Sequence, residues 1–174
     1  VAELERQSTM LAKDGRTPIV ASLDGRPLGV LGISDPVKGD SQAAVQRLQA
    51  LGKRVVILTG DHEAAGWATA REVGVETVLA RVLPDQKAKH IKALQKQGFR
   101  VAMVGDGLND APALAQADVG IAIGTGTDVA MAAGDVTLMG GSLRGVVDLM
   151  EISEATLVNI HQNLVGAFIY NVLG

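Results

Sequence analysis

Three short polar segments have residue types and spacing that could do chemistry: Thr59-Gly60-Asp61, Gly105-Asp106-Gly107-Leu108-Asn109-Asp110 and Gly124-Thr125-Gly126-Thr127-Asp128. Each directly follows an apolar run. Asp106 and Asp110 are the sharpest pair, because two carboxylates on a turn with two glycines suit a hard, oxygen-seeking cation such as Mg²⁺. The same residue types make turns and helix caps, so the hexapeptide alone leaves both readings open. Thr59 offers a hydroxyl and Gly60 an unhindered N–H to a phosphoryl oxygen, though together they also make an ordinary strand-to-helix turn. Lys87 lies one turn into a helix opened by Pro84, as a countercharge or as a solvated surface cation. No Gly-x-x-x-x-Gly-Lys-Ser/Thr segment occurs, and Gly124-Thr125-Gly126 lacks the third glycine of the dinucleotide fingerprint, Val129 standing there instead. Both nucleotide motifs are excluded.

These segments need a frame that brings them together. Residues 18–33 hold two apolar runs about Asp24-Gly25, the pattern of an antiparallel hairpin. From residue 40 onward helices and strands alternate: helices are expected at 40–51, 63–73, 84–97 and 110–116, and strands at 54–58, 76–79, 100–104, 119–123 and 136–139. Strands rich in Val and Ile and separated by helices predict a parallel sheet covered on both faces, a doubly wound α/β fold. Ligands of such sheets lie outside the carboxyl ends of the strands, so the three polar segments are expected to meet at one edge. Residues 142–174 contain no proline and predict one long helix, polar through about His161 and apolar afterwards, like a soluble helix turning into a membrane one. The final run, Leu164 to Gly174, is itself shorter than the roughly 20 apolar residues that span a bilayer. There is no internal repeat and no low-complexity segment.

Composition narrows the function classes. The chain has 174 residues, 47% hydrophobic and 20% charged, with 21 glycines and four aromatic residues, Trp67, Phe99, Phe168 and Tyr170. That is room for one ordinary α/β domain, and it excludes a disordered tail or a coiled coil. Sixteen Lys+Arg against nineteen Asp+Glu give a net charge of −3 with no basic run, which argues against nucleic acid as a partner. With no cysteine the chain holds no disulfide, thiolate zinc site or Cys nucleophile. Residue 1 is Val and no signal-peptide pattern comes after it, so the sequence reads as an excised piece.

The order of the pieces is more specific than any one of them. Thr59-Gly60-Asp61, then Lys87 in a Pro-Asp-x-Lys context, then Gly105-Asp106-Gly107-x-Asn109-Asp110-Ala111-Pro112-Ala113-Leu114 resembles the haloacid dehalogenase superfamily in its P-type ATPase form. Ser34-Asp35-Pro36-Val37-Lys38 looks like the family's hinge into the phosphorylation domain, and Ala117 through Ala130 is similar to a stretch typical of heavy-metal pumps. Asn163-Leu164 through Tyr170-Asn171 resembles the copper subgroup. The resemblance implies a haloacid dehalogenase-like, Rossmannoid fold in three parts: 1–33 as the tail of a nucleotide-binding domain, 34–141 as the later part of the phosphorylation domain, and 142–174 as a stalk helix leading into a transmembrane helix.

It also implies roles. In that family an aspartate of Asp-Lys-Thr-Gly-Thr attacks the γ-phosphate of ATP, and the aspartyl phosphate cycle drives metal export. That motif is absent here; Asp14-Gly-Arg-Thr17 follows no apolar strand, and Asp24-Gly25-Arg26-Pro27 reads as the hairpin turn, so this chain alone is expected to be inactive. Residue by residue, Asp106 would coordinate Mg²⁺ and Asp110 would support the same ion. Lys87 would neutralise the phosphoryl oxygens, Thr59 and the Gly60 N–H would hold one of them, and Asn109 would orient the metal loop. Asp35, Asp61, Gly105 and Gly107 would serve the nucleotide side, while Tyr170 and Asn171 would form half of a Cu⁺ site whose other half is a Cys-Pro-Cys helix. Departures are His62, where Asn is common, and Leu108, where Ile is usual. The implied cofactors and partners are Mg²⁺, ATP, transported Cu⁺ or equally Ag⁺, membrane lipid at the C-terminal helix and a copper chaperone, in a bacterial membrane with this part on the cytoplasmic side. A soluble phosphatase of the same superfamily, or a non-catalytic Mg²⁺-binding or regulatory module, would use the same loops without a transport cycle.

Overall fold

A computed structural model describes residues 2–33, 36–106, 108–124 and 128–173. Helix α1 (Ala2–Lys13) is followed by the hairpin β1 (Thr17–Leu23) and β2 (Arg26–Ile33), antiparallel as expected. Its turn is Asp24-Gly25 with φ of 48° and 74°, the left-handed pair that a two-residue hairpin turn requires. Helix α1 was not anticipated. Its first turn carries Glu3 and Glu5, which complement the helix dipole and were the available signal.

The alternating part runs α2 (Ser41–Ala50), β3 (Ile57–Leu58), α3 (Glu63–Val73), β4 (Val78–Leu79), α4 (Pro84–Lys96), β5 (Ala102–Gly105), α5 (Ala111–Gln116), β6 (Val119–Ile123), α6 (Asp128–Ala133), β7 (Val136–Leu138) and α7 (Arg144–Leu173). Every pairing in it is parallel. The expected single sheet is observed as two: β3 pairs with β4, and β5-β6-β7 form a separate three-stranded sheet. Among the described residues, β3 and β5 thus each keep one edge without a strand partner. The strand expected over 54–58 is observed only at Ile57–Leu58, the two residues that pair with β4.

Side-chain alternation along the strands covers both faces. Ile121 and Ile123 of β6 pack with Ala44 and Leu48 of α2 and with Val146 and Val147 of α7, joined by Val104 of β5. Met103, the other face of β5, packs with Ile91 of α4 and with Ala113 and Leu114 of α5, joined by Leu58 of β3. Ile57 turns the opposite way, toward Val45 of α2 and Ala70 and Val73 of α3. The two sheets therefore share their helix layers even where no backbone bond joins them. At the amino-terminal ends of β5 and β6, Asp118 Oδ2 accepts the Val101 N–H at 2.9 Å and the Gln95 side-chain amide at 3.1 Å, and Oδ1 lies 3.1 Å from Arg100 Nε. The Val101 N–H first and then Gln95 hold this carboxyl below the usual aspartate range; burial opposes them, and the Arg100 charge adds a lesser lowering.

The long C-terminal helix forms as expected, but its entry into a membrane is not supported. Among the described residues no helix is long and apolar enough to cross one. Asn159, His161, Gln162, Asn163 and Asn171 interrupt the apolar run. The first turns of α7 are docked on α2, where Arg47 pairs with Glu151 at 2.7 Å, and Lys53, just beyond α2, lies 3.5 Å from Glu154. Just before α7, Ser142 donates to Asp40 and Lys38 donates to the Gly141 carbonyl. Beyond Glu151 the helix is exposed on all sides through Val172.

Candidate active site

The connections leaving β3, β4 and β5 build the site. After β3, the Thr59 hydroxyl donates to Asp61 Oδ2 at 2.9 Å while accepting the Asp61 N–H at 3.1 Å, a closed local turn that fixes the Thr59 side chain. Helix α3 can lie close behind this turn because Gly66 has no side chain: a Cβ there would meet Val78 Cγ1 at 2.9 Å and Thr59 Cγ2 at 3.2 Å. Asp61 is exposed and lines a cleft of about 380 Å³ together with Thr17, Lys38, Ser41 and Thr69.

After β4, Pro84 occupies the first turn of α4, where its missing N–H costs nothing. This start points Lys87 at the loop after β5. Lys87 Nζ donates to Asp110 Oδ1 at 2.6 Å, with only 14% of the lysine side chain and 13% of the aspartate side chain exposed. This is a charge-assisted bond sheltered from water.

After β5, Asp106 is exposed, and Leu108–Asp110 form a single 3₁₀ turn leading into α5. Asn109 is exposed and Asp110 half-buried. Asp110 lies against Gly105, since a Cβ on that glycine would stand 2.8 Å from Asp110 Cβ and Oδ2.

The structure therefore brings Lys87 and Asp110 into contact and closes Thr59 onto Asp61. It places Asp106 and Asn109 on the same connection as Asp110. Asp35, Gly107, Thr125, Gly126 and Thr127 lie outside the described residues. Tyr170 and Asn171 sit on the exposed outer turns of α7; Tyr170 is exposed and Asn171 Nδ2 donates to the Ala167 carbonyl of its own helix at 2.8 Å. Sequence reasoning assigned Lys87 and Asp110 to different ligands and missed their mutual bond, which joins positions 23 residues apart. It also passed over Arg81, whose φ of 55° is left-handed although the residue is not glycine. No composition signal marks that position.

Two carboxylates with oxygen donors only, Asp106 and Asp110, are a donor set that Mg²⁺ accepts when substrate phosphate supplies further oxygens. Among the described residues no group of three or more His, Cys, Asp or Glu converges as a complete metal cage.

The profile of the haloacid dehalogenase-like hydrolases matches residues 2–118. A "Copper-exporting P-type ATPase" of Vibrio cholerae is 55% identical over 158 residues, covering 91% of this chain and 17% of that protein. "Probable copper-transporting ATPase PacS" of Synechococcus elongatus is 56% identical over 160 residues, covering 92% of this chain and 21% of the relative. Among solved structures, a zinc-transporting PIB-type ATPase in the E2.Pi state superposes with a TM-score of 0.81 at 39% identity, covering 94% of this chain and 27% of that one. The chain thus spans about a fifth of the length of the curated relatives it matches.

Proposed function

Since the chain belongs to the haloacid dehalogenase-like hydrolases, we propose that it supplies the Mg²⁺-binding and phosphoryl-stabilising part of an aspartyl-phosphate site in a copper-transporting P-type ATPase. The observation that carries this reading is the sheltered Lys87–Asp110 pair after β5, where a cation and a carboxylate are held together on the connection that also carries Asp106. Phosphoryl transfer asks a protein mainly for positioning and charge neutralisation. Lys87 neutralises phosphoryl oxygens, and Thr59 with the Gly60 N–H holds one of them. Asn109 orients the Asp106 loop, and Asp61 serves the nucleotide side from its cleft. Asp106 and Asp110 hold Mg²⁺, which when bound screens the phosphoryl charge.

The nucleophile is supplied by another segment of the parent protein. Among the described residues β3 and β5 each have an edge without a strand partner, which favours this, because Thr59 and Asp106 directly follow those two strands and a further strand pairing with both would end between them. Ligands of doubly wound sheets lie at such a point. In this reading residues 1–33 are the tail of a nucleotide-binding domain, 34–141 the later part of a phosphorylation domain and 142–174 a stalk. Copper is the proposed cargo, since the relatives at 55% and 56% identity are named for copper, whereas the structural relative named for zinc is 39% identical. Tyr170 and Asn171 contribute to its path.

The test is phosphoenzyme formation from γ-labelled ATP in the full-length ATPase that contains this segment. Asp106→Ala is expected to abolish the labelled protein. Normal labelling in that variant overturns the reading.

A further inference from the structure

Two described residues other than glycine have a positive φ, Asp24 at 48° and Arg81 at 55°. Asp24 belongs to the hairpin turn, where Asp-Gly is the ordinary choice. Arg81 has no such context, and a Cβ makes the left-handed region unfavourable. Something around it must hold it there, and strained backbone of this kind gathers at functional sites.

The restraints are two consecutive amides. The Arg81 N–H donates to the Asp61 carbonyl at 2.8 Å and the Val82 N–H to the Thr59 carbonyl at 3.0 Å, one on each side of Gly60. The chain must reverse at residue 81 for both to reach the same loop. Gly60 lies in contact range of the same segment, since a Cβ on it would stand 3.5 Å from the Val82 carbonyl oxygen, an ordinary van der Waals distance. Directly after the reversal Val82 is buried, Leu83 caps α4, and the Lys87 N–H donates to the Leu83 carbonyl at 3.2 Å. One turn of helix therefore separates the restrained joint from the lysine that reaches Asp110. The Arg81 side chain is exposed, so what binds here is its backbone.

We infer that Arg81 is a positioning residue whose left-handed backbone locks the Thr59-Gly60-Asp61 loop and the Lys87 turn of α4 into one fixed relation. Its structural content stands alone; its functional consequence rests on the phosphoryl-binding role proposed above. Donors contributed by two separate elements act on one phosphoryl group only while their relative placement is held.

The test compares Arg81→Gly and Arg81→Asn, which keep access to the left-handed region, with Arg81→Val, whose branched Cβ does not. On this chain, amide exchange at residues 81 and 82 is expected to stay within about threefold of the parent in Gly and Asn and to accelerate at least about tenfold in Val. The amide resonances of Thr59, Asp61 and Lys87 move together in Val and stay in place in Gly. Parent-like exchange in a folded Val variant, or lost protection in Gly, overturns the inference. If Val does not fold, lost protection in Gly and Asn overturns it and retained protection sustains it. In the full-length ATPase, phosphoenzyme forms more slowly in Val with little change in the KM for ATP, and at the parent rate in Gly. Equal rates in Val and Gly overturn the positioning role. Normal labelling in Asp106→Ala would instead remove the phosphoryl reading, and the exchange pattern would still decide the joint.

Discussion

Asp110 occupies the space that a side chain on Gly105 would need, with its Cβ and Oδ2 each 2.8 Å from where that Cβ would stand. The absence of a side chain at the end of β5 is what lets the carboxylate lie against the strand and receive Lys87. Gly105→Ala is therefore expected to expel Asp110 from this position at a cost of about 1–3 kcal/mol, the usual range for overpacking. A shift of the Lys87 Nζ resonance together with a lower urea midpoint checks it.

Lys87→Met removes the cation and leaves the Asp110 carboxylate largely sheltered without a partner. The expected loss of stability is about 2 kcal/mol, in the range for a hydrogen bond to a charged group. Lys87→Met/Asp110→Leu, which removes both charges, is expected to recover most of it, because the penalty comes from the orphaned carboxylate. Urea titration of the single and double variants measures both. Neither variant is expected to support phosphoenzyme formation in the full-length protein.

Asp118 gives the fold an acid-sensitive tie. Folding lowers its pKa, so the carboxylate stabilises the chain above the ordinary aspartate value of 3.8, and that contribution is lost as the pH falls through the lower folded-state value. Asp118→Asn keeps an acceptor for the Val101 N–H but loses the charge. It is expected to be less stable than the parent at neutral pH, with the difference closing in acid. Thermal midpoints measured across an acid-to-neutral series test the sign: a difference that widened in acid would contradict it.

The ion pairs that Arg47 of α2 and Lys53 just beyond it make with α7 are expected to matter far less than the apolar contact beneath them. Arg47 and Glu151 are both at least 40% exposed, and a double-mutant cycle on them is expected to give a coupling below about 1 kcal/mol. That coupling fades in about 1 M salt, where charges are screened within roughly 3 Å. Ile121→Ala, at a residue only 1% exposed in the same contact, is expected to cost about 2–5 kcal/mol independent of salt.

Local signals were legible in the sequence, and long-range ones were not. Asp24-Gly25 announced the hairpin and Pro84 the start of α4 because each residue constrains its own backbone. Runs rich in Val and Ile, unbroken by polar residues and separated by helices, announced a parallel sheet covered on both faces. The split of that sheet could not be read, since which strand edges meet is decided by pairing between distant segments, and β3 and β4 are too short to carry a pairing signature. The candidate site divides the same way. The residue types at Thr59, Lys87, Asp106 and Asp110 were informative, but the Lys87–Asp110 bond, the closure of Thr59 on Asp61 and the reversal at Arg81 depend on tertiary placement. Helix α6 is six residues long, less than two turns, and leaves almost no periodic trace.

Among the described residues helix α7 meets the rest of the fold through its first turns, which gives it the geometry of a lever. From Glu151 to Leu173 it extends about 33 Å at the α-helical rise. Tilting its docked turns by about 10° would carry the far tip roughly 6 Å, on the same helical length. A rearrangement of α2 too small to disturb the core beneath it would therefore be amplified along α7 into a displacement comparable to a full helical turn.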